Sequence, residues 1–381
     1  MVRFVLESGN GTVDRFSLRY CNQFGNTLAE VLTVGHDIHR LRRASVNPYF
    51  SKQKILSLEP VIQKLVNKLV NRFEKLKGMS EPLPIRLAYE CLTTDIITEY
   101  CMSKSYGHLE ADDWCPKYHA MITKLGALAY LSKQLTFIHP IIASLPSWLV
   151  LKMDPGMGSY VEFQEVCLTY PHEWSCYTYP PQDCVKEVSK IQQQKLKPDS
   201  EKSHKTVFHE IMYSSDLPPS EKSLYRMRCE AVQFVSAGTD TVSNTMHVMT
   251  YHLIDNPHIL KRLREEIRTV QPNPTQPAPL KQLEQLPYLT SVILEALRLG
   301  YGLATRSPRA APDRVIIYKD WKIPPGTAVS MTSILIHQNE EIFPEPEKFD
   351  PERWTDPAER QRLDKYMVAF SKGTRLCLGI K

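Results

Sequence analysis

The chain has 381 residues, 42% of them hydrophobic, with a formal net charge of +5; it can bury a large core as one domain or two. Basic and acidic residues are interspersed, and the one dense basic stretch, His39-Arg40-Leu41-Arg42-Arg43, is too short to indicate nucleic acid. Nine scattered cysteines, an odd number, form no disulfide framework and fit a reducing compartment.

In chain order, Met1-Val2-Arg3-Phe4 is not followed by the apolar region of a signal peptide, and residues 1–26 match no recognised pattern. His39 and Arg43 lie four apart on a predicted helix. Val61, Ile62, Leu65, Val66, Leu69, Val70 and Phe73 repeat at three and four, which predicts a helix closing before Gly78. A second amphipathic run covers about residues 87–100. Residues 137–153 are apolar and broken by prolines, readable as ordinary core or as a membrane-facing surface. No run reaches the roughly eighteen apolar residues of a membrane span.

Residues 167–184 lose helical periodicity abruptly. Cys167, His172, Cys176 and Cys184 match no trusted zinc spacing, so the stretch reads as an inserted loop, translated intron sequence being one source. Helical pattern resumes over about residues 229–254. Asp255-Asn256-Pro257 then reads as an N-cap with proline in the first turn of a helix reaching about Val270. Residues 280–299 read as a further helix. Val315-Ile316-Ile317-Tyr318 and Trp321-Lys322-Ile323 predict a hairpin, and residues 328–335 extend the strand-like region. Prolines then crowd residues 343–357 in a long ordered loop. The predicted class is mainly α with a minor β-sheet.

The most specific pattern is Phe370-Ser371-Lys372-Gly373-Thr374-Arg375-Leu376-Cys377-Leu378-Gly379. Glycines let backbone approach a flat macrocycle, main-chain N–H groups can aim at a thiolate, and Arg375 can meet a carboxylate bidentately. The alternative is a buried cysteine in a glycine-rich turn. Ala237-Gly238-Thr239-Asp240-Thr241 places an acid beside a hydroxyl on a helix; alone it also reads as side chains bonding their own backbone. Glu295-Ala296-Leu297-Arg298 puts two opposite charges on one helix face, by default a solvated pair.

Together, in this order and with Phe349-Asp350-Pro351-Glu352-Arg353-Trp354, these motifs resemble the cytochrome P450 superfamily of haem-thiolate monooxygenases. The wording around residues 36–43 and 363–366 is similar to fungal trichodiene-oxygenase-like members. The resemblance implies that Cys377 is the axial ligand of a haem iron, in a loop whose haem-facing positions include Phe370, Gly373, Arg375 and Gly379. It implies that Asp240 and Thr241 deliver protons to oxygen; Val242, where a hydroxyl residue is usual, is a departure. Glu295, Arg298 and Arg353 would form a structural network. His39, Arg43 and Arg309 would meet haem propionates, although His39 and Arg43 also fit a solvated basic face.

The implied activity is insertion of one oxygen atom from O2 into a lipophilic small molecule, a terpenoid or other secondary metabolite. Electrons would come from an NADPH-dependent reductase. An isomerase or dehydratase that keeps the haem, or a non-catalytic remnant, are the alternatives. By resemblance the location is the endoplasmic reticulum membrane; the chain alone, with no spanning segment, would be cytoplasmic. Residues 27–381 read as a partial P450 domain with an atypical insertion at 167–184. The family's N-terminal anchor and the helix and strands that follow the cysteine are not recognised here, so weak folding and weak haem retention are expected.

Overall fold

Helices nucleate where the apolar periodicity predicts them. The computed structural model describes residues 28–80, 82–135 and 205–380, together with Asp14–Arg15 and a few positions between 137 and 189. After β1 (Asp14–Arg15) and a 3-10 turn at Glu30–Leu32 come α1 (His36–Val46), α2 (Lys52–Ser57), α3 (Glu59–Leu76) and α4 (Ile85–Met102). A 3-10 turn at His108–Glu110 precedes α5 (Pro116–Gln134). There follow α6 (Val207–Tyr213), α7 (Leu224–Asp255), α8 (Pro257–Val270), α9 (Leu280–Leu283) and α10 (Pro287–Leu299). The last part holds β2 (Arg309–Ala310), β3 (Ile316–Tyr318), β4 (Trp321–Ile323), α11 (Ser333–His337), a 3-10 turn at Pro351–Trp354, α12 (Pro357–Leu363) and a 3-10 turn at Gly373–Arg375. The class is mainly α with a minor sheet, as the sequence predicts.

β1 pairs antiparallel with β2, Asp14 opposite Ala310 and Arg15 opposite Arg309. β3 and β4 form the expected hairpin, Ile316 opposite Ile323 and Tyr318 opposite Trp321. Lys319 supplies the positive φ, 51°, that a two-residue hairpin turn demands.

Three predicted elements differ. Residues 280–299 are two helices rather than one, because Pro287 has no N–H to continue the ladder and starts α10 at its first turn. The new N-terminus is capped from outside: Glu266 of α8 accepts the N–H groups of Tyr288 and Leu289, each at 2.8 Å. Asn256 occupies the N-cap position of α8 without capping it; its Nδ2 donates instead to His252 O at 2.8 Å, closing α7. Of residues 328–335, Val329 bridges Arg309, but helix begins at Ser333, which buries Ile336 and His337 together.

α7, 32 residues long, is the spine. α4 packs along it so closely that a Cβ added at Gly238 would stand 2.6 Å from Ile97 Cγ1 and 3.1 Å from Ile97 Cβ. Thr93 Oγ1 donates to Thr239 O at 3.0 Å, and the Thr94 and Thr239 hydroxyls meet at 3.1 Å. One apolar cluster on this seam joins Phe50, Tyr100, Phe208, Met227 and Phe234. Another joins Leu253, Leu263, Val292, Leu299 and Phe349, tying α7 to α8 and α10.

Residues 167–184 and most of 1–26 and 137–153 lie outside the described residues; Phe137, Ile141 and Trp148 are exposed. No helix among the described residues is long and apolar enough to cross a membrane.

The close approach at Gly238 generates a prediction. Gly238→Val should lower unfolding free energy by about 1–3 kcal/mol, the usual cost of overpacking. Denaturant titration of Gly238→Val, Ile97→Ala and the double variant checks it: the two losses should add to less than their sum.

Candidate active site

α10 places Glu295 and Arg298 one turn apart, both at 0% exposure. Arg298 Nε and Nη2 donate to Glu295 Oε2 at 2.9 Å and Oε1 at 2.7 Å. Its other N–H groups reach the carbonyls of His337 (2.9 Å), Pro346 (2.6 Å) and Lys348 (3.0 Å). Glu295 also accepts from Asp350 N (3.0 Å), Arg353 Nε (3.1 Å) and Trp354 Nε1 (2.9 Å). Burial by itself would raise the Glu295 carboxyl; the Arg298 hydrogen bonds and charge outweigh it and leave the pKa lowered. Removing one partner of such a buried pair costs about 3–5 kcal/mol, because the other charge is stranded.

The network extends through a residue the sequence did not single out. His337, fully buried, places Nδ1 3.1 Å from Arg298 O and accepts Val368 N–H on Nε2 at 3.2 Å. Those partners fix the neutral tautomer with the proton on Nδ1. Val368 O in turn accepts Ser371 N–H at 2.9 Å. The framework thus reaches the first residues of the cysteine loop by hydrogen bonds alone.

In the loop, Ser371 and Gly373 take positive φ of 61° and 74°. Leu376 N donates to Gly373 O at 3.0 Å, and Cys377 N donates to Phe370 O at 2.9 Å. Arg375 is buried, its Nη1 and Nη2 donating to Thr33 O (2.8 Å) and Val34 O (3.0 Å), which clips the loop to the segment entering α1. Cys377 is exposed, and a Cβ added at Gly379 would meet nothing within 4 Å. Protein packed behind the sulfur raises the thiol pKa, the Gly379 N–H and the Arg43 charge oppose that rise, and Glu30 adds to it.

His39 is buried with Nε2 2.5 Å from Glu30 Oε1, and Arg43 Nη1 stands 3.6 Å from the same oxygen. Glu30 is thus an acidic partner of this pair that sequence reasoning missed; only its position six residues before α1 hinted at it. Arg309 is buried on β2. The structure brings Cys377, Arg375, Arg43 and His39 to one region.

On α7, Leu378 beside the ligand position packs against the cluster that includes Phe234 and Val235, so the cysteine loop and this helix meet. Asp240 lies further along, half exposed, with Oδ1 3.8 Å from Arg86 Nη2. Thr241 Oγ1 donates to Ala237 O at 2.8 Å. The backbone bonding of Thr241, weighed as an alternative from sequence, is what its hydroxyl does here. Gly238 opens no space for a ligand; its bare Cα faces Ile97 of α4.

The residues fit a thiolate-ligated haem. A solvent-facing thiol sits on a rigid turn with open space at Gly379, an N–H aims at the sulfur, and cationic groups for carboxylates stand alongside.

The family model described as Cytochrome P450 matches residues 1–159 and 180–381. Among curated proteins, a cytochrome P450 monooxygenase of Ascocoryne sarcoides is 37% identical over 374 residues, covering 98% of this chain and 71% of that protein. The cytochrome P450 monooxygenase tpcC of Cochliobolus heterostrophus is 37% identical over 94% of this chain and 65% of its own length. A grayanic acid biosynthesis cluster cytochrome P450 monooxygenase of Cladonia grayi is 35% identical, over 94% and 68%. The chain spans about two thirds of the length of these relatives. All three are fungal, as the sequence resemblance implies.

His337 carries a pH dependence. Burial, reinforced by the Arg298 charge, pushes its pKa down to about 4 from the ordinary 6.5. The unfolded chain therefore takes the proton first, so this stabilisation is complete above about pH 6.5 and is lost as pH falls toward 4. The loss between pH 7 and pH 5 is about 2 kcal/mol from this group. Denaturant unfolding at both pH values checks it, His337→Gln showing the smaller drop.

Proposed function

Because the chain belongs to the cytochrome P450 family, we propose that it is the haem-thiolate portion of a fungal oxidoreductase, a monooxygenase of secondary metabolism. Its proposed reaction places one oxygen atom from O2 into a lipophilic small molecule of terpenoid or similar character. An NADPH-dependent reductase is the proposed electron donor, and attachment to the endoplasmic reticulum membrane the proposed location. The observation that carries this reading is the exposed Cys377 thiol on a turn pinned by Phe370 O and Val368 O.

Cys377 is the iron ligand in this proposal. The chemistry haem supplies when bound is reductive activation of O2 at iron, assisted by electron density from a thiolate. The Gly379 N–H and the Arg43 guanidinium favour the thiolate over the thiol. Arg375, Arg43, His39 and Arg309 supply positive charge for the haem carboxylates, with Phe370, Gly373 and Gly379 shaping the turn beneath the ring. Asp240 Oδ1, half exposed on α7, exchanges its proton with water. Thr241 Oγ1, one residue on, rests on Ala237 O and turns from that carbonyl to pass a proton inward. Glu295, Arg298 and Arg353 take no part in proton movement; they hold the loop. The domain boundaries at 27–381 with an insertion at 167–184 belong to the same proposal, and the unmatched residues 160–179 support the insertion.

The carbon-monoxide difference spectrum of the reduced, haem-supplemented chain tests the ligand. A strongly red-shifted Soret band is expected from the parent chain and none from Cys377→Ala. The same band in Cys377→Ala would overturn the assignment.

A further inference from the structure

Behind α7, away from the cysteine loop, three metal-ligating side chains from three elements converge. Cys91 lies within α4, His108 in the 3-10 turn after it, and His119 in the first turn of α5. One ligand atom from each lies within 4.8 Å of the others, and the residues are 0%, 4% and 3% exposed. Cys91 Sγ stands 3.6 Å from His119 Nε2. A tetrahedral zinc ion with Zn–S of about 2.3 Å and Zn–N of about 2.0–2.1 Å spans a sulfur–nitrogen edge of about 3.6 Å.

Three further observations point to a cation. The second ring nitrogen of His119, Nδ1, faces Glu90 Oε2 at 3.4 Å, and Glu90 is buried and oriented by Arg86 Nε at 2.9 Å. An imidazole backed by a carboxylate is the usual support of a metal-bound histidine. His108 Nδ1 is buried with no hydrogen-bond partner, a cost of about 1–3 kcal/mol that ring packing does not relieve. Its backbone is held rigidly all the same, since Asp95 accepts the N–H groups of His108 and Leu109, each at 2.9 Å. Finally, Cys115 at the start of α5 hydrogen-bonds the Cys91 thiol, so a second sulfur stands at the cluster. Burial depresses both imidazole pKa values, to about 4 at His108 and about 3 at His119, and holds the rings neutral as ligation requires.

We propose that Cys91, His108 and His119, with Cys115 as fourth ligand, form a structural zinc site that ties the turn after α4 and the start of α5 to α4. Zinc binding forms two Zn–S and two Zn–N bonds and releases the two thiol protons to solvent; no electrons move. Packing alone accounts for the edge-on rings of His108, His119 and Tyr118. It leaves the His108 nitrogen and the aligned Glu90 carboxylate without a purpose.

The test uses the full chain, stripped with a chelator, desalted and titrated with Zn2+. One tightly held zinc per chain by elemental analysis is expected, with a rise in Tm on zinc addition. Cys91→Ser and His119→Gln should each lose the zinc and the Tm rise, and Glu90→Gln should weaken zinc affinity about 10–100-fold. Cys377→Ala should keep the zinc, which separates this site from the haem ligand. Substoichiometric zinc with no Tm change in the folded parent chain would overturn the proposal, whatever the variants do. So would zinc retained in full by Cys91→Ser and His119→Gln.

Discussion

The Glu295–Arg298 ion pair is the interaction on which the C-terminal part of the molecule depends. The loop that carries Cys377 has almost no regular structure of its own: a 3-10 turn and a handful of local bonds. Order must come from elsewhere. It comes from α10, whose two opposite charges, fully desolvated, convert every remaining donor and acceptor into a bond with irregular chain. Such a pair is a poor source of net stability relative to an apolar one. Its value is that stranding either charge is costly, so carbonyls at 337, 346 and 348 and amides at 350 and 354 have one arrangement rather than several.

His337 carries that constraint to the cysteine. Its ring sits between Arg298 O and Val368 N, and Val368 begins the chain of backbone bonds that ends at Cys377 N. On the other side, Arg375 clips the loop to residues 33 and 34 and so to α1, where His39 and Arg43 lie. The thiol is thus held from two directions while its own surface stays open. The α4–α7 seam supplies the other wall, and the Gly238–Ile97 contact sets how near α4 comes to that wall.

Much of this was legible in the sequence. Period and capping signals give α3, α4, α7, α8 and the β3–β4 hairpin, because each depends on local chemistry. The residue order around Cys377, Asp240, Glu295 and Arg353 points to one family. What was not legible depends on distant partners. Glu266 capping α10 is a tertiary cap across two elements, and Asn256 turning back to His252 looks in sequence like an ordinary N-cap. His337 hides in the apolar run Ser333–His337, where a single histidine reads as core. Cys91, His108 and His119 are separated by 17 and 11 residues, with no close ligand pair to mark them. Sequence attention fell instead on residues 167–184, where cysteines cluster without a supporting fold.

If the buried pair holds the loop, the two should loosen together. Native-state hydrogen exchange on Glu295→Gln, compared with the parent chain, measures this directly. The account predicts that amides of residues 368–377, Cys377 included, lose protection while those of the α4–α7 seam keep theirs. Unchanged protection at Cys377, or an equal loss everywhere, would contradict it.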